Sequence, residues 1–309
     1  MPEGGGRADA SFQGRIHRIF LGPHGVRAGW RALNSIFLWI VFSAILTAAL
    51  VAIPAIRSWT YTQNLLIMTP SLLFFGDGIA AVAVILAVLA MARWEQHSFW
   101  HYGLPLNRDS IKRLAQGLFL GLAMVSALMG LIAAAHGFSI QTQAPAGWDA
   151  ARYGLFYALG FMMLAFFEEF SFRGYLQETL ASEAGFWPAA VVLSILFAAI
   201  HLDNPGETAF GVMMAACFSL LAAFSLRRTG GIWLAIGMHL AWDWGLTYLY
   251  SVPDSGISAV GHLMKSSLHG SRWITGGPAG PEGSVFAFVV LAITAVAIHL
   301  LFPAKQKSL

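Results

Sequence analysis

The sequence predicts an all-α membrane protein, a polytopic bundle of about eight transmembrane helices. Of its 309 residues, 57% are hydrophobic and only 11% are charged, whereas a soluble domain has about 25% charged residues. Apolar runs recur along the chain, and most have about the 20 residues that a helix needs to cross a bilayer core of about 30 Å. These observations exclude a soluble globular enzyme, a disordered protein and a coiled coil.

The apolar runs divide the chain into three parts. We expect a cytoplasmic N-terminal segment at 1–29, a transmembrane domain at 30–302 and a cytoplasmic tail at 303–309. The first run is too long, and too far from the start, for the apolar core of a signal peptide. The fourth span is unusually long and the fifth unusually short. The predicted spans are 30–53, 72–92, 114–135, 153–180, 187–201, 209–226, 232–250 and 285–302.

The distribution of Lys and Arg predicts the orientation in the membrane. Eight spans place both termini on one face, and 14 of the 18 basic residues fall on that face. These are Arg7, Arg15, Arg18, Arg27, Arg31, Arg93, Arg108, Lys112, Arg113, Arg173, Arg227, Arg228, Lys305 and Lys307. The opposite face holds Arg57, Arg152, Lys265 and Arg272. Because cytoplasmic loops are enriched in Lys and Arg, we expect a multi-pass protein of the cell membrane with both termini in the cytoplasm.

Two further features limit the function. The basic residues are spread along the loops, so we expect membrane lipids and no nucleic acid as partners. The single cysteine excludes a disulfide framework and a CxxC metal or redox site, and Cys217, within an apolar run, is predicted to be a small core residue. The longest outer segment, 251–284, is rich in Gly, Ser and Pro and is predicted to be a loop without a readable motif.

Ionisable residues inside apolar runs mark the first candidate site. Glu168 and Glu169 follow a long apolar run, and Arg173 comes four residues after Glu169. Residues four apart share a helix face, so we expect Glu169 to pair with Arg173. Adjacent helix residues point in different directions, which leaves Glu168 to face another group. Ionisable groups at membrane depth are costly and usually functional.

Two later helices carry the other candidates. His201 ends the apolar run that contains Phe197, and His239 lies four residues before Asp243 on one face of the seventh span. Counted from the ends of the predicted helices, Glu168 and Asp243 both lie about 18 Å deep and His201 about 21 Å deep. A carboxylate in an apolar pocket can act as the general base of a hydrolysis reaction. A His–Asp pair can donate hydrogen bonds to the oxyanion that develops in such a reaction. Two His with carboxylates also form an acceptable zinc ligand set.

These three motifs resemble the CPBP family, the CAAX-protease and bacteriocin-processing (Abi) intramembrane proteases. The family pattern is EExxxR, FxxxH and then HxxxN or HxxxD on later helices. The chain has Glu168-Glu169 with Arg173, then Phe197 with His201, then His239 with Asp243, in that order. The match is strongest over about 150–250. The resemblance implies an intramembrane endopeptidase acting on membrane-associated protein or peptide substrates.

The resemblance also implies roles for the six residues. Glu168 would be the base that activates water, His201 its partner, and His239 with Asp243 the oxyanion side. Glu169 and Arg173 would hold the site together. One departure is Asp243, because the CAAX enzymes favour Asn there and an aspartate donates a hydrogen bond only when protonated. The alternative roles are an orienter of His239 or a metal ligand, with zinc held by Glu168, His201, His239 and Asp243.

Two other functions stay open at this point. A proton-coupled transporter would use the same ionisable residues as a relay, although no internal repeat of the kind found in many transporters is evident. A catalytically silent relative would act as a membrane scaffold or immunity protein.

Overall fold

A computed structural model of the chain describes residues 19–22, 25–143 and 147–303. Most of the predicted 1–29 segment and of the 303–309 tail therefore lies outside the described residues. The described part is an all-α polytopic bundle, which confirms the predicted fold class. Its helices are α1 (Ala28–Val51), α2 (Pro54–Thr60), α3 (Pro70–Trp94), α4 (Arg108–Ala134), α5 (Trp148–Glu169), α6 (Gln177–Ala184), α7 (Phe186–Ile200), α8 (Ala209–Thr229), α9 (Trp233–Trp244), α10 (Arg272–Thr275) and α11 (Val285–Leu301).

Six helical stretches of the described residues are long and apolar enough to cross a membrane. They are Ala28–Val51, Pro70–Trp94, Arg108–Ala134, Trp148–Ala184, Phe186–Asp203 and Ala209–Thr229. The seventh and eighth predicted spans also form helices, α9 and the 17-residue α11, which are shorter. The expected number of about eight spans is compatible with this architecture.

Two helices change geometry immediately after candidate site residues. The helix α5 continues through a π-helical segment, Phe170–Leu176, into α6, and a second π-helical segment, Gly245–Leu249, follows α9. The sequence predicts spans that continue through both places, 153–180 and 232–250, the first of them unusually long. The wider turn leaves no room for a side chain at Gly174, where a Cβ would lie 2.6 Å from the Phe170 ring. Such turns are frequent at functional sites.

Helix α9 is held against α4 by backbone contact. A Cβ at Gly117 or Gly121 of α4 would collide with the carbonyls of Leu234 and Met238, and a Cβ at Gly237 of α9 would collide with the carbonyl of Leu114. Small residues let two helices approach this closely in a membrane. This packing fixes the position of the α9 turns that carry His239 and Asp243.

Two of the three strand pairs among the described residues lie at one end of the bundle, which we call the loop face. Here β3 (Ile67–Met68) pairs in parallel with β5 (Ser258–Ala259), and β4 (Phe138–Gln143) pairs antiparallel with β6 (Met264–Leu268). The third pair, β1 (Leu21–Gly22) with β2 (Gly25–Val26), precedes α1. The segment 251–284, predicted as a loop without a motif, therefore contains two paired strands and short helical turns.

The opposite end of the bundle, which we call the terminal face, includes the start of α1 and the end of α11. The Ala28 amide donates to Glu183 Oε1 near the end of α6, at 2.8 Å. The guanidinium of Arg228 at the end of α8 donates to the Phe302 carbonyl at 2.5 Å. The first and last described helices thus meet the same side of the bundle.

The predicted core position of Cys217 is wrong. Its side chain is exposed on α8, as are many large apolar side chains, including Phe119 and Leu300. In a membrane protein the lipid-facing surface is as apolar as the interior, so an apolar run does not reveal which of its faces is buried.

The α4–α9 contact predicts the effect of a single added methyl group. We expect Gly117→Ala to destabilise the protein by about 1–3 kcal/mol, because the methyl group overpacks the interface. Gly130→Ala is the matched control on the same helix, since a Cβ there meets no atom within 4 Å. Thermal unfolding in detergent measures both. Equal melting temperatures for the two variants would contradict the backbone-contact interpretation.

Candidate active site

A buried carboxylate connects the first and third motifs. Glu169 Oε1 lies 3.3 Å from Arg173 Nη1 and 3.0 Å from His239 Nδ1. Glu169 and Arg173 are 0% and 2% exposed. The expected Glu169–Arg173 pair is confirmed, and the link from Glu169 to His239 is an addition that the sequence had not predicted. An ionised carboxylate only accepts hydrogen bonds, so His239 donates from Nδ1.

The other ring nitrogen of His239 faces the remaining carboxylates. His239 Nε2 lies 3.6 Å from Glu168 Oε2 and 3.5 Å from Asp243 Oδ2. These separations exceed ordinary hydrogen-bond lengths. Both carboxylate oxygens are buried and make no hydrogen bond to another described protein group. The arrangement therefore leaves polar atoms available to a water molecule or a substrate.

Phe197 and His201 complete the set from the end of α7. His201 Nδ1 lies 2.8 Å from the Phe197 carbonyl oxygen, which can only accept, so Nδ1 carries a proton and Nε2 lies outside this hydrogen bond. The guanidinium of Arg173 stacks on the Phe197 ring at 4.5 Å, and that ring also contacts His239, with centroids 6.3 Å apart. The FxxxH spacing thus places the Phe197 ring, which packs between Arg173 and His239, one helical turn before the His201 imidazole.

Four of the six predicted residues line one cavity of about 170 Å³. Glu168 enters from α5, His201 follows α7, and His239 and Asp243 enter from α9. Glu169 and Arg173 lie behind this cavity. The structure therefore brings together side chains that are up to 75 positions apart in the sequence.

The same cavity has polar residues that sequence reasoning missed. Its loop-face edge, which we call the rim, consists of Met68, Asn204, Asp254, Ser255 and Ile257. Asp254 is 5% exposed and accepts a hydrogen bond from Thr247 at 3.1 Å. Burial and the neighbouring charge of Glu282 raise the pKa of Asp254 above its ordinary value. The signal available in the sequence was the presence of two acidic residues, Asp254 and Glu282, in a loop rich in Gly, Ser and Pro.

Glu282 anchors the rim to α9. It accepts hydrogen bonds from Trp242 Nε1 at 2.8 Å and from the Ser255 backbone and hydroxyl at 2.5 and 2.9 Å. Asn204 Nδ2 donates to the Ser255 carbonyl at 3.0 Å. The segment 251–284, predicted as a loop without a readable motif, therefore contributes residues to the candidate site.

A smaller cavity of about 30 Å³ adjoins the first. Its lining includes His201, His239, Asp243, Ser255 and Glu282. A polar cavity of this size accommodates a water molecule with several hydrogen-bond partners. A third cavity, apolar and about 450 Å³, lies between α1, α3, the first π-helical segment and α7, and shares Ile200 with the 170 Å³ cavity.

A zinc ion at this site, one of the alternatives from the sequence, gains no support from the described residues. Within residues 19–22, 25–143 and 147–303, no group of three or more His, Cys, Asp or Glu side chains is arranged to hold a metal ion. The zinc set considered from the sequence, Glu168, His201, His239 and Asp243, therefore has no geometric support. We assign no step to a metal.

The depth expected for His201 stays a prediction. Residue counting placed it slightly deeper than Glu168 and Asp243, and all three side chains line one cavity. The helix that carries Glu168 runs for 37 residues from Trp148 to Ala184, or about 55 Å, which exceeds a bilayer core of about 30 Å. Its ends are therefore not level with those of α7, and counts from helix ends do not give depth.

The segment of the chain that carries the candidate site is similar to known proteins. Residues 150–245, which include all six predicted site residues, match the family model described as Type II CAAX prenyl endopeptidase Rce1-like. Lysostaphin resistance protein A of Staphylococcus aureus strain MRSA252 is 26% identical over 98 residues, covering 30% of this chain and 23% of that protein. The proteins of that name from strains Newman and USA300 match to the same extent. The predicted resemblance is confirmed over this segment, and the match spans 23% of the relatives' length.

The buried Glu169–Arg173 pair predicts a non-additive effect on stability. We expect Glu169→Gln and Arg173→Gln each to destabilise the protein by about 3–5 kcal/mol, because each leaves a buried charge without its partner. The free energy of unfolding of the double variant should fall by less than the sum of the two single losses. Arg152→Gln, in a pair with Asp149 whose side chains are 51% and 63% exposed, is the control and should cost under about 1 kcal/mol. Additive losses in denaturant unfolding would contradict the pairing.

Proposed function

We propose that the protein is an intramembrane endopeptidase that hydrolyses peptide bonds of membrane-associated protein or peptide substrates. The observation that carries the proposal is the convergence of Glu168, His201 and the His239–Asp243 pair on one cavity. The likeness of residues 150–245 to CAAX prenyl endopeptidases supports it. The apolar cavity beside the site suits an apolar substrate segment.

Glu168 is the general base in this proposal. Its Oε2 is buried and makes no hydrogen bond to another described protein group, so it can accept a proton from water. His201 Nε2 orients that water from the other side of the cavity. The water oxygen forms the new bond to the substrate carbonyl carbon as its proton passes to Glu168. Glu168 then gives the proton to the leaving amine as the C–N bond breaks.

His239 and Asp243 stabilise the negative charge that develops on the carbonyl oxygen. Because Nδ1 is bonded to Glu169, His239 donates to an oxyanion from Nε2 when the ring is an imidazolium. Asp243 donates when protonated. Preorganised donors of this kind are effective because they are oriented before the reaction begins.

Glu169 and Arg173 are positioning residues. They touch each other and, through His239 and Phe197, orient both imidazoles. Their burial removes them from contact with the reacting atoms. Their loss should therefore affect activity through the geometry of His239.

We further infer that both termini are cytoplasmic and that the loop face is extracytoplasmic. The 14-to-4 distribution of Lys and Arg between the two faces supports this orientation. Five of the 14, Arg7, Arg15, Arg18, Lys305 and Lys307, lie outside the described residues. Arg173 is buried behind the cavity, and the remaining eight still outnumber the four on the loop face.

Glu168→Gln tests the proposed base. We expect peptide ends seen in wild-type membranes to decrease by about 10²-fold or more, because the amide cannot accept the proton from water. Glu178→Gln is the control, since that side chain is 41% exposed on α6 and pairs with His101. Quantitative proteomics of membrane fractions measures the ends and identifies substrates.

The same comparison distinguishes the other functions. A scaffold or immunity protein would keep its phenotype in Glu168→Gln with unchanged peptide ends. A proton-coupled transporter would lose its phenotype with unchanged peptide ends. Either result would contradict the protease.

Substitution of Asp243 tests the oxyanion role. We expect Asp243→Asn to stay within about tenfold of wild-type activity, because the amide is a permanent donor of similar shape. Asp243→Leu, which keeps the size and removes the donor, should lose about 10²–10³-fold. Cleavage of a substrate identified by the peptide ends measures both. Equal losses in the two variants would indicate that the carboxylate itself is required.

A further inference from the structure

The cavity is closed towards the terminal face. On that side Glu169 and Arg173 lie behind the cavity lining and Phe197 lines the adjoining 30 Å³ cavity, and each of them is at most 2% exposed. Below them, Glu95 accepts hydrogen bonds from Tyr102 at 2.8 Å and Tyr175 at 2.5 Å. A polypeptide approaching from this side would have to displace a buried ion pair and a hydrogen-bonded tyrosine layer.

The opposite edge of the cavity is built from loops. All five rim residues lie in connections at the loop face, between α2 and α3, between α7 and α8, and in 251–284. Four of them are half-buried and keep part of their surface exposed, namely Met68, Asn204, Ser255 and Ile257. The rim thus places backbone and polar side chains beside the catalytic groups on the side that faces solvent.

The rim is also held in position. The β3–β5 pair joins the Met68 connection to 251–284, and Asn204 and Glu282 both bind Ser255. These contacts link the three connections to one another and to α9. The edge of the site is therefore an organised surface.

We propose that substrates enter the site from the extracytoplasmic side, across this rim. The proposal rests on the proposed function and on the orientation inferred from the basic residues. The substrate class is then a polypeptide segment presented outside the cytoplasm, in a secreted peptide or in the extracytoplasmic part of a membrane-anchored protein.

The single cysteine makes a direct test possible. In a Cys217→Ala background, Ser255→Cys places a thiol on the rim, and Arg93→Cys places one at the exposed end of α3 on the terminal face. A membrane-impermeant maleimide is applied to sealed right-side-out vesicles and, separately, to permeabilised ones. We expect Ser255→Cys to react in sealed vesicles and Arg93→Cys to react only after permeabilisation. Reaction of Arg93→Cys in sealed vesicles, or of Ser255→Cys only after permeabilisation, would overturn the proposal.

A second measurement connects access to cleavage. The peptide ends lost in Glu168→Gln are mapped onto the topology of each substrate, and we expect them on extracytoplasmic segments. Modification of Ser255→Cys in sealed vesicles should reduce cleavage at least tenfold, whereas Ser258→Cys, exposed on β5 outside the cavity lining, should keep it. Cytoplasmic ends would overturn the entry route and leave the protease intact. Labelling is independent of activity, so a failure of the proposed function is seen separately, in unchanged peptide ends.

Discussion

The buried carboxylate of Glu169 is the interaction on which the rest of the site depends. It pairs with Arg173 on its own helix and accepts a hydrogen bond from His239 on α9. Through Arg173 it also acts on Phe197, the aromatic spacer before His201. A buried carboxylate needs such partners because an isolated charge in an apolar interior is very costly. The requirement to satisfy Glu169 therefore fixes three helices relative to one another.

Two irregularities let the helices meet this requirement. The π-helical segment after Glu169 carries Arg173 within 3.3 Å of it, and the segment after Trp244 leads α9 into 251–284. The glycines between α4 and α9 then hold α9 at backbone distance from its neighbour. Local helix geometry and close packing together leave the second glutamate, Glu168, free to face the cavity. That freedom is what a general base needs.

The loop face contributes residues of the candidate site that do not belong to the three motifs. Glu282 binds both Trp242 and Ser255, so the same side chain supports the α9 helix and the edge of the cavity. Asn204, three residues after His201, donates a hydrogen bond to the Ser255 carbonyl and so links the α7–α8 connection to 251–284. The site is thus a deep set of ionisable groups with an organised rim on one side and a buried ion pair on the other. This asymmetry is the physical basis of the proposed single direction of substrate entry.

The sequence by itself determined the all-α membrane class and the motif residues, because apolar run length and the i,i+4 spacing of Glu169 with Arg173 and of His239 with Asp243 are local properties. It did not determine the link from Glu169 to His239 or the parts played by Asp254 and Glu282. Those contacts join residues far apart in the chain, and they depend on how helices of unequal length pack. The position of Cys217 was not predictable for a related reason. An apolar run predicts a membrane span, but it does not distinguish the face that contacts lipid from the face that is buried. Only the tertiary structure decides which of these side chains share a cavity.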